Sequence, residues 1–185
     1  MFTTPSYIVL DLPSAVGAEV ISLRSRFDAY AATLPPEITV AGSSGIGTIA
    51  EGQSSDRVFK ILEHIAQKHL PFVTSFLSIE RFAGTYIFWL KPHDRKPFDA
   101  LQRSLLEAGI KFLSHPFPFN PHCTISMNDQ LTQAQINTLL NTPIPKQEFL
   151  LSKLSVYQLM EGRASLLHTF SFSGSSASSS LQESA

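Results

Sequence analysis

Two short segments put an acid/base side chain and a hydroxyl on alternate positions of an extended chain: Pro36-Glu37-Ile38-Thr39-Val40 and Pro121-His122-Cys123-Thr124-Ile125. Successive side chains of a β-strand point to opposite faces. Glu37 and Thr39 would therefore leave one face together, as would His122 and Thr124, while Ile38, Cys123 and Ile125 turn into the core. If the two strands share a groove, a carboxyl and an imidazole can divide proton donation and acceptance between them. The two hydroxyls can donate hydrogen bonds to an anion held there. Each string alone has a plainer reading, because threonine is common in strands and Glu37 suits a solvated strand start. Their matched placement in the chain is what argues for a site.

The elements that must carry them follow from periodicity and punctuation. Tyr7 to Leu12 reads as a strand ended by Pro13, and Ala15 to Leu34 as a helix with Val16, Val20, Leu23, Phe27 and Tyr30 at helical spacing. Pro35 and Pro36 stop that helix, a short strand covers Ile38 to Ala41, and Gly42 to Gly47 is a glycine- and serine-rich loop. Ser54 or Ser55 caps a helix running to about His69. Ala83-Gly84 turns a hairpin between Phe72–Ile79 and Thr85–Leu90. Pro97 opens a helix to about Ala108, and an aromatic, proline-rich approach from Phe112 leads into the strand at His122 to Ser126. Thr132 caps a further helix, and Glu161-Gly162 turns a last hairpin between Phe149–Leu159 and Ala164–Phe172.

Helix, short strand, helix and hairpin thus occur twice. The two motif strands correspond, and Leu77-Ser78-Ile79 corresponds to Leu154-Ser155-Val156, at offsets of roughly 80 residues. Two matches in the same order and at nearly the same offset point to an internal duplication. The expected fold is α+β and two-lobed. Each lobe has an antiparallel sheet with helices on its outer face, and a cleft lies between the lobes. The lobes would cover about 13–91 and 97–173 of a single domain over 1–174, followed by a serine-rich disordered tail at 175–185.

Composition narrows the partners. With 185 residues, 43% of them hydrophobic and only 16% charged, the chain can bury a sizeable core. A formal net charge of −1 and the lack of any Lys/Arg run speak against duplex nucleic acid. Any phosphate ligand must be gripped locally. The single cysteine, Cys123, suits a reducing compartment, and no Cys/His cluster has zinc-ligand spacing, so no metal is expected. No segment reads as a signal peptide or membrane span, which makes a soluble, cytoplasmic protein the expectation; the oligomeric state is not legible in the sequence, and a monomer is favoured. Gly42 to Gly47 lacks the Lys-Ser/Thr of a P-loop, and Cys123 reads as a small core residue rather than a nucleophile.

Two His-x-Thr-type strand motifs, each preceded by proline and followed by a helix and a hairpin, resemble the two-histidine phosphoesterase superfamily. That group includes the 2′-5′ RNA ligase-like proteins and the RNA cyclic phosphodiesterases. The resemblance spans about Ser6 to Phe172. It implies a cofactor-free acid/base reaction on a cyclic or 2′,5′ phosphodiester of a small nucleotide or RNA end, with one histidine as base, the other as acid, and the threonines on the phosphate. Carried over, His122 corresponds to one histidine, and Thr124 and Thr39 to the phosphate ligands. Glu37 stands where the family has its other histidine. Three outcomes follow from that exchange: Glu37 works as a proton carrier with a raised pKa, the substrate differs, or the cleft survives as an inactive nucleotide- or anion-binding module.

Overall fold

The computed structural model describes residues 1–174, so the expected disordered tail at 175–185 lies outside the described residues. The first element, β1 (Ser6–Asp11), leads through Pro13 into α1 (Ser14–Ser25). The helix expected to reach Leu34 ends instead at Ser25. Asp28 accounts for this: its carboxylate accepts the backbone N–H of Ala31 at 2.8 Å, which diverts the chain into a short 3-10 turn at Ala31–Thr33. Next come β2 (Glu37–Ala41), β3 (Thr48–Ile49) and α2 (Ser55–Lys68), the last capped by the Ser54 hydroxyl.

The expected first hairpin strand is broken at Ser75 into β4 (Phe72–Thr74) and β5 (Phe76–Arg81); its partner is β6 (Phe88–Pro92). The chain continues through α3 (Lys96–Glu107), β7 (Phe112–Leu113), β8 (Cys123–Ser126) and α4 (Gln133–Leu140). A capping box between Thr132 and Gln135 starts α4. The last hairpin is broken like the first, into β9 (Phe149–Leu151) and β10 (Lys153–Met160), and returns as β11 (Arg163–Ser171) through a turn with Glu161 and Gly162 at positive φ.

The sheets cross the expected lobe bounds. β10 pairs with β1, and β1 with β2, while β5 pairs with β6, and β6 with β8. Each sheet therefore carries the motif strand of one half and the terminal strand of the other. The unit that repeats is strand, helix, strand, helix, broken strand, beginning at β1 and again at β6. Its symmetry shows where β4 meets β9 antiparallel, with Val73 opposite Leu150, Phe72 opposite Leu151 and Thr74 opposite Phe149. Corresponding strands that pair antiparallel about their own midpoints are the signature of a local twofold axis.

Alternation sorts the sheet faces. Ile8, Leu10, Ile38, Val40, Leu154 and Val156 are buried on one side of the first sheet, and Leu90, Cys123 and Ile125 on one side of the second. Asp11, Glu37 and Thr39 turn to the other side of the first sheet, and Trp89 and Thr124, which are cross-strand partners, share one face of the second. Beside them β3 and β7 zip together the loops at 42–47 and 114–121, with the Gly45 N–H donating to the Phe117 carbonyl at 2.9 Å. Gly47 sits at φ +87°, and a Cβ there would lie 1.6 Å from the Leu113 carbonyl oxygen. Gly47→Ala is therefore expected to cost roughly 2 kcal/mol or more in urea unfolding, through both φ strain and loss of the β3–β7 contact.

Candidate functional site

α1 approaches β8, the motif strand of the other half, and one of its side chains reaches it directly. Arg24 is only 3% exposed, and its Nε donates to the Thr124 carbonyl at 2.8 Å. Its Nη1 donates to the carbonyls of Ala31, Leu34 and Pro35 at 3.1, 2.9 and 3.1 Å, just ahead of β2. One guanidinium thus fixes both motif strands. Among the described residues no carboxylate forms a salt bridge with it. The helix pattern hid Arg24, which adjoins the apolar stripe of Val16, Val20 and Leu23. A cation on the buried edge of an amphipathic helix was the available signal.

A cavity of about 570 Å³ opens beside this contact. Arg24, Glu37, Thr39 and Thr124 supply polar groups to its lining, and Tyr7, Tyr30, Leu34, Met127 and Leu159 supply aromatic and aliphatic surface. Three of the four residues singled out in the sequence therefore line one space. His122 does not line it. The imidazole is 9% exposed and packs edge-on against Phe82 at 5.1 Å and Trp89 at 5.9 Å.

Glu37 accepts the Thr39 hydroxyl on its carboxylate, at 3.1 Å from each oxygen. Burial pushes its pKa up to about 7, opposed by the Arg24 charge and the Thr39 hydrogen bond and reinforced by Asp11, its cross-strand partner on β1. Asp11 is itself held by the hydroxyls of Ser155 and, at 3.1 Å, Tyr157. Sequence reading passed over Asp11, although a carboxylate ending an apolar strand before Pro13 is a visible exception to the pattern.

His122 is placed differently but also tuned. Its Nδ1 lies 2.6 Å from the Asn120 carbonyl, which can only accept, so Nδ1 carries the hydrogen in the neutral ring and Nε2 keeps the lone pair. Nε2 has no partner among the described residues and is not among the buried atoms that lack one. Burial lowers the imidazole pKa, with the Asn120 carbonyl opposing. Between the two shifted values, a protonated Glu37 and a neutral His122 coexist. Burial also pushes the Cys123 thiol up to about 11, which leaves it protonated and inert beside the motif. No group of three or more potential metal ligands occurs among the described residues.

Residues 12–163 match the family model of the 2′-5′ RNA ligase superfamily. Solved structures share the fold. TT0787 of Thermus thermophilus superposes with a TM-score of 0.65 at 15% identity, over 92% of this chain and 99% of that one. E. coli LigT complexed with 3′-AMP gives 0.59 at 15% identity, over 91% and 98%. The same protein complexed with ATP gives 0.58 at 16% identity, over 91% and 98%. No curated protein matches the sequence.

Two outcomes test the electrostatics. Arg24→Met should cost about 3 kcal/mol or more in urea unfolding, because several buried carbonyls lose their donor at once. For Glu37 the folded-state pKa lies above the ordinary carboxylate value of 4.5. The folded chain therefore holds a proton that the unfolded chain releases, and stability falls as pH rises from that value through about 7. Glu37→Gln should accordingly raise the melting temperature over wild type at about pH 8 by a few degrees or more, with the difference shrinking at about pH 4.

Proposed function

The chain belongs to the 2′-5′ RNA ligase superfamily, and on that footing we propose that it is a phosphoesterase acting on a cyclic phosphodiester or 2′,5′-linked nucleotide or RNA end by general acid/base catalysis, without a metal. The observation that carries this reading is the shared cavity of Glu37, Thr39 and Thr124 with a carboxyl poised near neutrality.

In the proposed reaction Thr39 and Thr124 hold the phosphate through their hydroxyls. His122 Nε2 takes the proton of the attacking water. The bond from phosphorus to the leaving ribose oxygen breaks, and the Glu37 carboxyl delivers its proton to that oxygen, leaving a phosphomonoester. The tautomer set by Asn120 suits His122 to acceptance, and the raised pKa suits Glu37 to donation. Protonating Glu37 also removes the anion that the Thr39 hydroxyl now serves, which frees that hydroxyl for the substrate. LigT has been solved with phosphate as well as with the nucleotides above, which supports a ligand of this class.

Turnover of 2′,3′-cyclic nucleotides and 2′,5′-linked oligonucleotides tests the reading. The expected profile of kcat/KM against pH is a bell, with its alkaline limb near 7 from Glu37 and its acid limb below the ordinary histidine value from His122. His122→Ala and Glu37→Gln should each lower kcat by roughly 10²-fold or more, whereas Glu37→His should retain or raise activity. Binding of these ligands without turnover would instead identify an inactive anion-binding module, a reading favoured by the absence of His122 from the cavity lining.

A further inference from the structure

The charges around the cavity are unusual for a phosphate site. Among the described residues Arg24 is the only lysine, arginine or histidine in its lining, and four backbone carbonyls already occupy its Nε and Nη1. Its Nη2 faces the Cys123 sulfur at 3.9 Å. Arg24 therefore offers an anion its charge without the two-pronged donor face that grips a phosphate dianion. Two carboxylates oppose it, Glu37 on β2 and Asp11 directly across on β1. The other titratable groups nearby are Tyr7 on β1, Tyr30 ahead of the 3-10 turn, Tyr157 on β10, Cys123 on β8 and, outside the lining, His122; burial raises the pKa of Tyr7, Tyr157 and Cys123, which keeps those three neutral near pH 7, and lowers that of His122. Lys91, on β6, is engaged by Glu80 at 2.8 Å.

We propose that Glu37 makes this cavity a charge filter, which admits a monoanionic phosphodiester and rejects the dianionic phosphomonoester formed from it. The proposal rests on the reading of the cavity as a phosphate site. A cavity of about 570 Å³ holds a mononucleotide, so size does not separate substrate from product. Charge does. A phosphodiester carries one negative charge at any pH near neutrality, whereas a monoester gains its second with a pKa of about 6. Above about pH 7 that second charge meets an ionised Glu37. Two like charges about 5 Å apart, at an effective dielectric of roughly 20 to 40, repel enough to weaken binding roughly tenfold or more. Below about pH 6 both charges are titrated away and the distinction fades. In a working enzyme the filter would release product as soon as the ring opens, and it gives the exchange of histidine for glutamate a consequence beyond proton transfer.

Isothermal titration of the His122→Ala protein with 2′,3′-cyclic AMP and with 3′-AMP, at about pH 8 and about pH 5.5, tests the filter without turnover. The expected result is at least roughly tenfold tighter binding of the cyclic diester at the higher pH, shrinking to about threefold or less at the lower. Adding Glu37→Gln to the same protein should abolish most of the preference at the higher pH. Inhibition of the wild type by the monoesters 2′-AMP and 3′-AMP, weak at the higher pH and stronger at the lower, gives a second readout should the double variant fail to fold. Equal binding of the two nucleotides at the higher pH, or a preference unchanged by Glu37→Gln, overturns the filter and leaves the proposed activity standing. A filter intact in a protein that turns nothing over removes the activity alone. Failure of both nucleotides to bind overturns the phosphate-site reading and the filter with it.

Discussion

A guanidinium removed from bulk water ties the two motif strands to one another, and the geometry of the cavity depends on it. Arg24 leaves α1 in the first half of the chain and ends on the Thr124 carbonyl in the second, holding on the way the carbonyls that precede β2. The burial of that charge is offset by hydrogen bonds to backbone dipoles, with no carboxylate ion pair among the described residues. The field of Arg24 therefore remains available to the cavity, where it moderates the pKa of Glu37 without cancelling the effect of burial. The reciprocal contact, from Gln102 on α3 to the Val40 carbonyl on β2, is a single neutral bond at 3.4 Å. The bracing between the halves is thus charged and multiple in one direction, and neutral and single in the other.

The exchange of terminal strands between sheets explains why the two motifs can converge at all. If each half formed its own sheet, the lobes would meet only through side chains, and their relative position would be loosely set. Because β10 is stitched to β1 and β5 to β6 by backbone hydrogen bonds, each half holds the other in register. The β4–β9 pair adds a further tie about the local twofold. Glu37 and Thr124 come to one cavity through long-range pairing, which no local propensity specifies.

Much of this could be read from the residues. Alternation in Glu37-Ile38-Thr39 and in His122-Cys123-Thr124 separates cavity from core, and Ile38 and Cys123 are fully buried in the structure. The repeat could be read because two matches occur in the same order at nearly the same offset, roughly 80 residues. What escaped the sequence was non-local. A continuous apolar stripe suggested one helix to Leu34, whereas the Ala31 N–H, donating to the Asp28 carboxylate, redirected the backbone. Phe72 to Ile79 looked like one strand because its β-forming residues do not show where pairing partners change at Ser75. Arg24 and Asp11 lie far in sequence from the motif strand or the groups they engage in the other half. The inward packing of His122 against Phe82 and Trp89 likewise follows from a hairpin distant in the chain.

The account turns on whether the groups at 37 and 122 address one bound phosphate. A crystal structure of the wild-type protein grown in inorganic phosphate, at a pH of about 6.5 where Glu37 keeps its proton, tests this most directly. The anion should sit on the Thr39 and Thr124 hydroxyls, with a Glu37 oxygen and His122 Nε2 both within hydrogen-bonding distance of it, roughly 3 Å. An anion seated elsewhere, or one held by the threonines with the imidazole still turned into its aromatic packing and out of reach, would contradict the shared catalytic role.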